Sequence, residues 1–164
     1  MSADEVLDEE TPVLEDLDTE QYLTFIMDGE EYGVDILAVQ EIRGWESATP
    51  IPNSPDYIKG VINLRGTIVP IMDLRGRFNL ADPEYGPETV VIVLKVEMDK
   101  GHRTMGIIVD AISEVYDVPI EDIKRTGFGD NCNAIFIKGL VTVNKHMVIL
   151  LELRKLLTLE DDQD

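Results

Sequence analysis

One cysteine, Cys132, is the whole thiol content of the sequence. It cannot close an internal disulfide, and no second thiol accompanies it to build a cysteine-based zinc site, so a free thiol in a reducing compartment is expected. Bases are scarce as well: 14 Lys and Arg face 33 Asp and Glu, a formal charge of −19 at pH 7. Any polyanion approaches against a repulsive field, which argues against nucleic acid and bare anionic membrane as partners. No apolar run comes near the roughly 18 residues that a spanning helix needs, so no direct membrane insertion is expected. The first 20 residues hold nine acids and no base, the reverse of a signal peptide's basic start and apolar middle. A cytoplasmic location is the expectation.

Catalytic signatures are missing too. No HExxH, Walker-type phosphate loop or GxSxG occurs, and Gly127-Phe128-Gly129 has no strand-to-helix unit behind it. His102 and His146 each stand beside a predicted hairpin turn, without the nucleophile and orienting partner that catalysis needs. Asp73 with Glu152, and Glu41 with Glu114, occupy corresponding places in an internal repeat, which marks them as scaffold. No catalytic residue, metal site or cofactor is expected, and the chain is read as a non-enzyme.

What is present is β-rich. Nine acids in residues 1–20 and four in residues 160–164 form two tails, leaving a centre of only about −6. Clustered like charge with few aromatics buries too little surface to offset ordering entropy, so both ends read as disordered and solvated. Val6, Leu7, Val13, Leu14 and Leu17 offer a short docking helix as the lesser alternative. Between the tails, Leu23, Phe25 and Met27 share one face of a strand, and Asp28-Gly29 supplies a hairpin turn. Arg65-Gly66, Asp99-Lys100-Gly101 and Asn144-Lys145 do the same further on. About ten strands result, with a short helix over residues 151–159 and a helical turn at Asp73 to Phe78. The pattern predicts an all-β fold of small barrels or sandwiches.

The sequence repeats itself. Ile58-Lys59-Gly60-Val61-Ile62-Asn63-Leu64 lies over Ile137-Lys138-Gly139-Leu140-Val141-Thr142-Val143 at an offset of 79. In the same register Val69 meets Val148, Leu74 meets Leu153 and Arg75 meets Arg154. Upstream, Gly33-Val34 and Ala38 to Ile42 lie over Gly106-Ile107 and Ala111 to Val115 at an offset of 73. Two β subdomains are expected, about 21–86 and about 87–151, with the helix of 151–159 packing back on the first. Units that small bury only about 60% of their unfolded surface, so a shared apolar interface is expected.

Features found in one half only are the better candidates for function. Thr49-Pro50-Ile51-Pro52-Asn53-Ser54-Pro55 reads as a stiff surface connector outside any ladder, since proline fixes φ and lacks an N–H. The turn Asn63-Leu64-Arg65-Gly66 is the second. Gly66 frees the backbone there, and Arg65 presents a planar fork of donors either to a partner or to an internal acid such as Glu41.

These residues resemble a known family. Glu31-Tyr32-Gly33-Val34-Asp35-Ile36, Val39-Gln40-Glu41-Ile42-Arg43, Ile51-Pro52-Asn53-Ser54-Pro55 and the run from Gly60 through Asn63-Leu64-Arg65-Gly66 to Arg75 closely resemble the CheW family of bacterial chemotaxis coupling proteins. The likeness runs from about Gln21 to Leu159. It implies two SH3-like five-stranded β-barrels in pseudo-symmetric tandem and an adaptor function. The partners implied are the histidine kinase CheA, through its regulatory domain, and the cytoplasmic tips of chemoreceptors, with recruitment to membrane-associated arrays. The resemblance places kinase contacts at Lys59, Gly60 and Ile68, and receptor coupling at Val39 and Glu41. Arg65 and Gly66 stand at the interface in a recognition or structural role. Pseudo-symmetric domains can also join end to end into rings, which gives the second half a further kinase-domain contact. The alternative is an interaction module that serves another receptor array or competes for one partner without coupling.

Overall fold

The computed structural model describes residues 18–80, 85–125 and 132–158. Residues 1–17 and 160–164 of the expected tails, the Gly127-Phe128-Gly129 loop and the Cys132 side chain lie outside the described residues, whereas Thr19 and Glu20, expected in the disordered tail, already belong to the first strand because they pair with the segment 118–119. Within them the chain runs β1 (Thr19–Met27), β2 (Glu30–Asp35), β3 (Val39–Gly44), β4 (Ile58–Leu64), β5 (Thr67–Asp73), α1 (Leu74–Arg77), β6 (Val90–Met98), β7 (Gly101–Val109), β8 (Ala111–Pro119), β9 (Ile137–Val143), β10 (His146–Leu151) and α2 (Leu153–Leu156). Three of the expected hairpins are two-residue turns with positive φ at both centres: Asp28-Gly29, Arg65-Gly66 and Asn144-Lys145. That geometry matches the right-handed twist of the strands they join.

The strands form two five-stranded sheets, β8-β1-β2-β10-β9 and β3-β6-β7-β5-β4. Each is closed into a small barrel by one isolated bridge. Thr49 exchanges both backbone hydrogen bonds with Val61 at 2.9 and 2.8 Å, and Lys124 does so with Leu140 at 2.7 and 2.8 Å. Thr49 therefore belongs to the barrel wall, and the stiff connector begins only after it.

The expected subdomain boundaries need correction. One barrel is residues 39–109, and the other is residues 19–35 together with 111–151. The reason lies at the turn Ile36–Ala38, where the chain leaves the first barrel after two strands. It returns at Asp110, the one residue between β7 and β8. Parallel pairs β2–β10 and β5–β7 join early strands to late ones. The repeat itself is real. Replacing each strand by the one five later converts the first sheet order into the second, so the halves are equivalent but exchange strands.

This exchange shapes the core. Tyr22 and Thr24 point into their own barrel, while Leu23, Phe25 and Met27 join Ile92, Leu94, Met105 and Ile107 in one cluster shared by both sheets. β1 is thus buried on both faces. Thr24 is buried without penalty because its Oγ1 donates to the Glu114 carbonyl and accepts from the Glu114 amide, both at 3.0 Å. Leu153, Leu156 and Leu157 of the C-terminal turn enter the same shared cluster. Arg77 and Arg103 hold that turn from the 39–109 barrel by donating to the Thr158 and Leu157 carbonyls at 2.9 and 3.0 Å.

Candidate interaction surface

The β4–β5 hairpin is built for rigidity at its tip. The Asn63 side chain accepts the Gly66 amide at 2.8 Å, and Arg65 and Gly66 both take left-handed φ, +52° and +89°. This arrangement throws the Arg65 side chain outward, where 77% of it is exposed. Its guanidinium Nη2 lies 2.8 Å from Glu41 Oε1, and Arg43 approaches the same carboxylate at 3.7 Å. β3 and β4 occupy opposite edges of the sheet order, so only barrel closure brings Glu41 to Arg65. Of the two readings left open for Arg65, the internal ion pair is present.

Exposed apolar side chains stand beside this pair in sequence and register, Ile42 next to Glu41 on β3 and Ile68 opposite Asn63 on β5. Ile68 is 60% exposed and Ile42 43%. Lys59 is exposed on β4, while Val39 is half-buried against the shared core. Gly60 sits differently from the rest. It is buried at a bulge with φ +141°, and a Cβ there would overlap the Thr49 carbonyl. Gly139 is its counterpart against Ile123 and Lys124. Both glycines serve the closing bridges, so Gly60 acts through the backbone and not through a side-chain surface.

Sequence reasoning gave the second half a further contact but named no residues for it. Val115 and Met147 are 50% and 53% exposed on the other barrel. They are the repeat counterparts of Ile42 and Ile68, at offsets of 73 and 79, and the alignment already held that signal. The polar centre differs there. His146 Nε2 lies 3.0 Å from Glu31 Oε1, and the Tyr116 hydroxyl is 3.3 Å from the same nitrogen. A hydrogen bond to Glu114, with some burial, pushes the Tyr116 hydroxyl up to about 12. His102 is simpler, pairing with Glu97 at 2.8 Å on an exposed hairpin.

Between the barrels lies an open groove of about 390 Å³, whose lining includes Tyr22, Leu37, Ala38, Val96, Lys138 and Arg154. Leu37 at its edge is 87% exposed. Lys138 is fixed there by Glu20 at 3.0 Å and the Tyr22 hydroxyl at 2.6 Å. Burial, then the Glu20 hydrogen bond, holds the Tyr22 hydroxyl well above its ordinary range.

The CheW-like domain family matches residues 21–161. The chain belongs to the CheW family. It is 44% identical over 143 residues to the chemotaxis protein CheW of Klebsiella aerogenes, covering 87% of this chain and 84% of that protein. With the chemotaxis protein CheW of Rhizobium meliloti the identity is 37%, over 81% and 84% of the two chains. The crystal structure of the scaffolding protein TtCheW from Thermoanaerobacter tengcongensis superposes with a TM-score of 0.77 at 29% identity, covering 87% of this chain and 90% of that one. The two barrels are thus the SH3-like pair of the CheW fold, and the chain is a chemotaxis scaffold. Among the described residues, no helix is long and apolar enough to cross a membrane.

Proposed function

We propose that this scaffold couples chemoreceptors to the histidine kinase CheA by binding both at once, at membrane-associated arrays reached from the cytoplasm. The observation that carries the reading is the Arg65–Glu41 pair, with solvent-exposed Ile42 and Ile68 on the adjoining strands β3 and β5. Exposed apolar side chains beside a fixed charge suit protein recognition, because the apolar part supplies affinity and the charge supplies register.

Lys59 and Ile68 face the kinase's regulatory domain in this reading, and Gly60 keeps the β4–β5 hairpin that carries them in place. Val39 and Glu41 serve the receptor. The groove that opens at Leu37 and Ala38, immediately before Val39, takes the receptor's helical tip as an amphipathic helix, with Leu37, Ala38, Val96 and Leu153 meeting its apolar face and the charged lining residues its polar one. Val115 and Met147 give the second barrel its own kinase-domain contact, which permits end-to-end assembly into rings. Holding two partners together raises their effective concentration and fixes their geometry without chemistry by the adaptor itself.

The deciding experiment reconstitutes receptor, kinase and this chain and measures kinase autophosphorylation with and without the chain. Receptor-dependent stimulation is expected. If both partners bind and no stimulation follows, the chain is an interaction module without coupling.

A further inference from the structure

Hydrophobic burial holds the barrels together but is non-directional, so the shared core by itself leaves their angle weakly specified. A directional contact stands at one edge of it. Arg75 on α1 donates two hydrogen bonds to Asp110, Nε to Oδ1 at 2.9 Å and Nη2 to Oδ2 at 2.6 Å. The Asp28 amide donates to Asp110 Oδ2 at 2.8 Å, and the Asp28 carboxylate lies 3.5 Å from Arg75. Asp110 is also tied through its own amide to the Ile26 carbonyl at 3.2 Å. Arg75 belongs to the 39–109 barrel and Asp28 to the other, while Asp110 is the single residue by which the chain crosses between them. The Arg75 side chain is only 17% exposed and that of Asp110 30%.

The opposite edge is held differently, by Arg103 and Arg77 donating to the Leu157 and Thr158 carbonyls and by an exposed ion pair. Arg154, the repeat counterpart of Arg75, meets Asp99 of the β6–β7 turn at 2.5 Å, with 56% and 92% of the two side chains exposed. The counterpart of Asp110 at the other crossing is Leu37, which has no carboxylate to offer. That edge carries the open groove. The two crossings, equivalent by the repeat, are therefore held unequally: among the described residues only the Asp110 crossing carries a largely buried bidentate guanidinium–carboxylate pair.

We infer that Arg75, Asp110 and Asp28 form a positioning cluster that sets the angle between the barrels, and through it the geometry in which the scaffold holds its two partners. The second clause rests on the coupling function proposed above. A bidentate guanidinium–carboxylate pair fixes orientation as well as distance, which an apolar interface does not. Arg75 and Asp110 touch no partner in this scheme; they act through the barrels they align.

The test uses the full chain with spin labels on the exposed turns of the two barrels, at K100C and K145C in a C132S background, and pulsed dipolar distance measurement. D110N removes the charge, and R75K keeps the charge while removing the planar fork. Both are expected to widen the inter-barrel distance distribution at least two-fold. Affinity for receptor or kinase alone should stay within two-fold, and receptor-dependent kinase stimulation should fall at least five-fold. An unchanged distribution overturns the inference, as does full stimulation despite a widened one or the loss of single-partner binding. If the unaltered chain fails to stimulate the kinase, the coupling function falls, and the distance measurement then decides the cluster by itself. Should D110N not fold, R75K carries the same comparison.

Discussion

Arg65, in the turn that ends β4, and Glu41 on β3 meet at 2.8 Å although β3 and β4 are opposite edges of one sheet, so their ion pair straddles the seam where the barrel closes. With Arg65 77% exposed, this pair contributes little to stability, about 0 to 1 kcal/mol for surface pairs in general. Its weight falls on the shape and charge of the surface beside Ile42 and Ile68.

Arg65→Glu places two carboxylates against each other at that seam. Pull-down of kinase or receptor is expected to weaken, while the circular-dichroism spectrum stays the same and melting moves by no more than a few degrees. Wild-type capture of both partners would remove Arg65 from the interface.

Gly60→Ala tests the closing bridge. The added Cβ meets the Thr49 carbonyl at a positive φ, so the bridge must open or the strand must shift. A loss of roughly 2 to 4 kcal/mol in urea unfolding is expected. Gly29→Ala is the control, since a Cβ there meets nothing within 4 Å and only the backbone conformation is penalised. Equal losses at both sites would show that crowding at Thr49 is not the cause.

Phe25→Ala removes a fully buried ring from the cluster that both sheets share. It is expected to cost about 3 to 5 kcal/mol. Because the core is common property, unfolding should remain one transition in calorimetry. Two separated transitions would show that the barrels unfold independently.

Asp110 predicts a pH effect of definite sign. Burial pushes its carboxyl up, but the Arg75 and Asp28 hydrogen bonds outweigh that and hold it below the ordinary carboxylate range. A folded-state value below the unfolded one gives stability that is present above about pH 4 and is lost as pH falls through the folded value. The difference in urea midpoint between the unaltered chain and D110N should therefore be full at pH 6 and shrink below pH 4. A gap that stays constant into strong acid would exclude the ionic contribution.

Much of this was legible before any coordinates. Alternation placed Leu23, Phe25 and Met27 on one buried face, and the paired turn residues placed the hairpins. The 79-residue offset identified equivalent strands, and the contrast between Arg65 and Asn144 pointed to the hairpin tip. Strand partnership was not legible. It is decided at Ile36–Ala38, an ordinary apolar stretch in which nothing marks a change of barrel, and by parallel pairs whose members are far apart in sequence. The Arg75–Asp110 lock stayed hidden for the same reason, since 35 residues separate its members and only the crossing at Asp110 brings them together.

The nesting of one barrel inside the sequence of the other also sets an order of events during synthesis. Residues 39–109 can close as soon as β7 has left the ribosome, whereas β1 and β2, made first, must wait for β8 to β10. At typical elongation rates that wait is on the order of 5 to 25 s. In the later part of it, once β7 has emerged, the Leu23, Phe25 and Met27 face has a surface to settle on, because its partners Ile92, Leu94, Met105 and Ile107 belong to the barrel that finishes first. The inner barrel thereby shelters β1 and β2 until their own partners arrive.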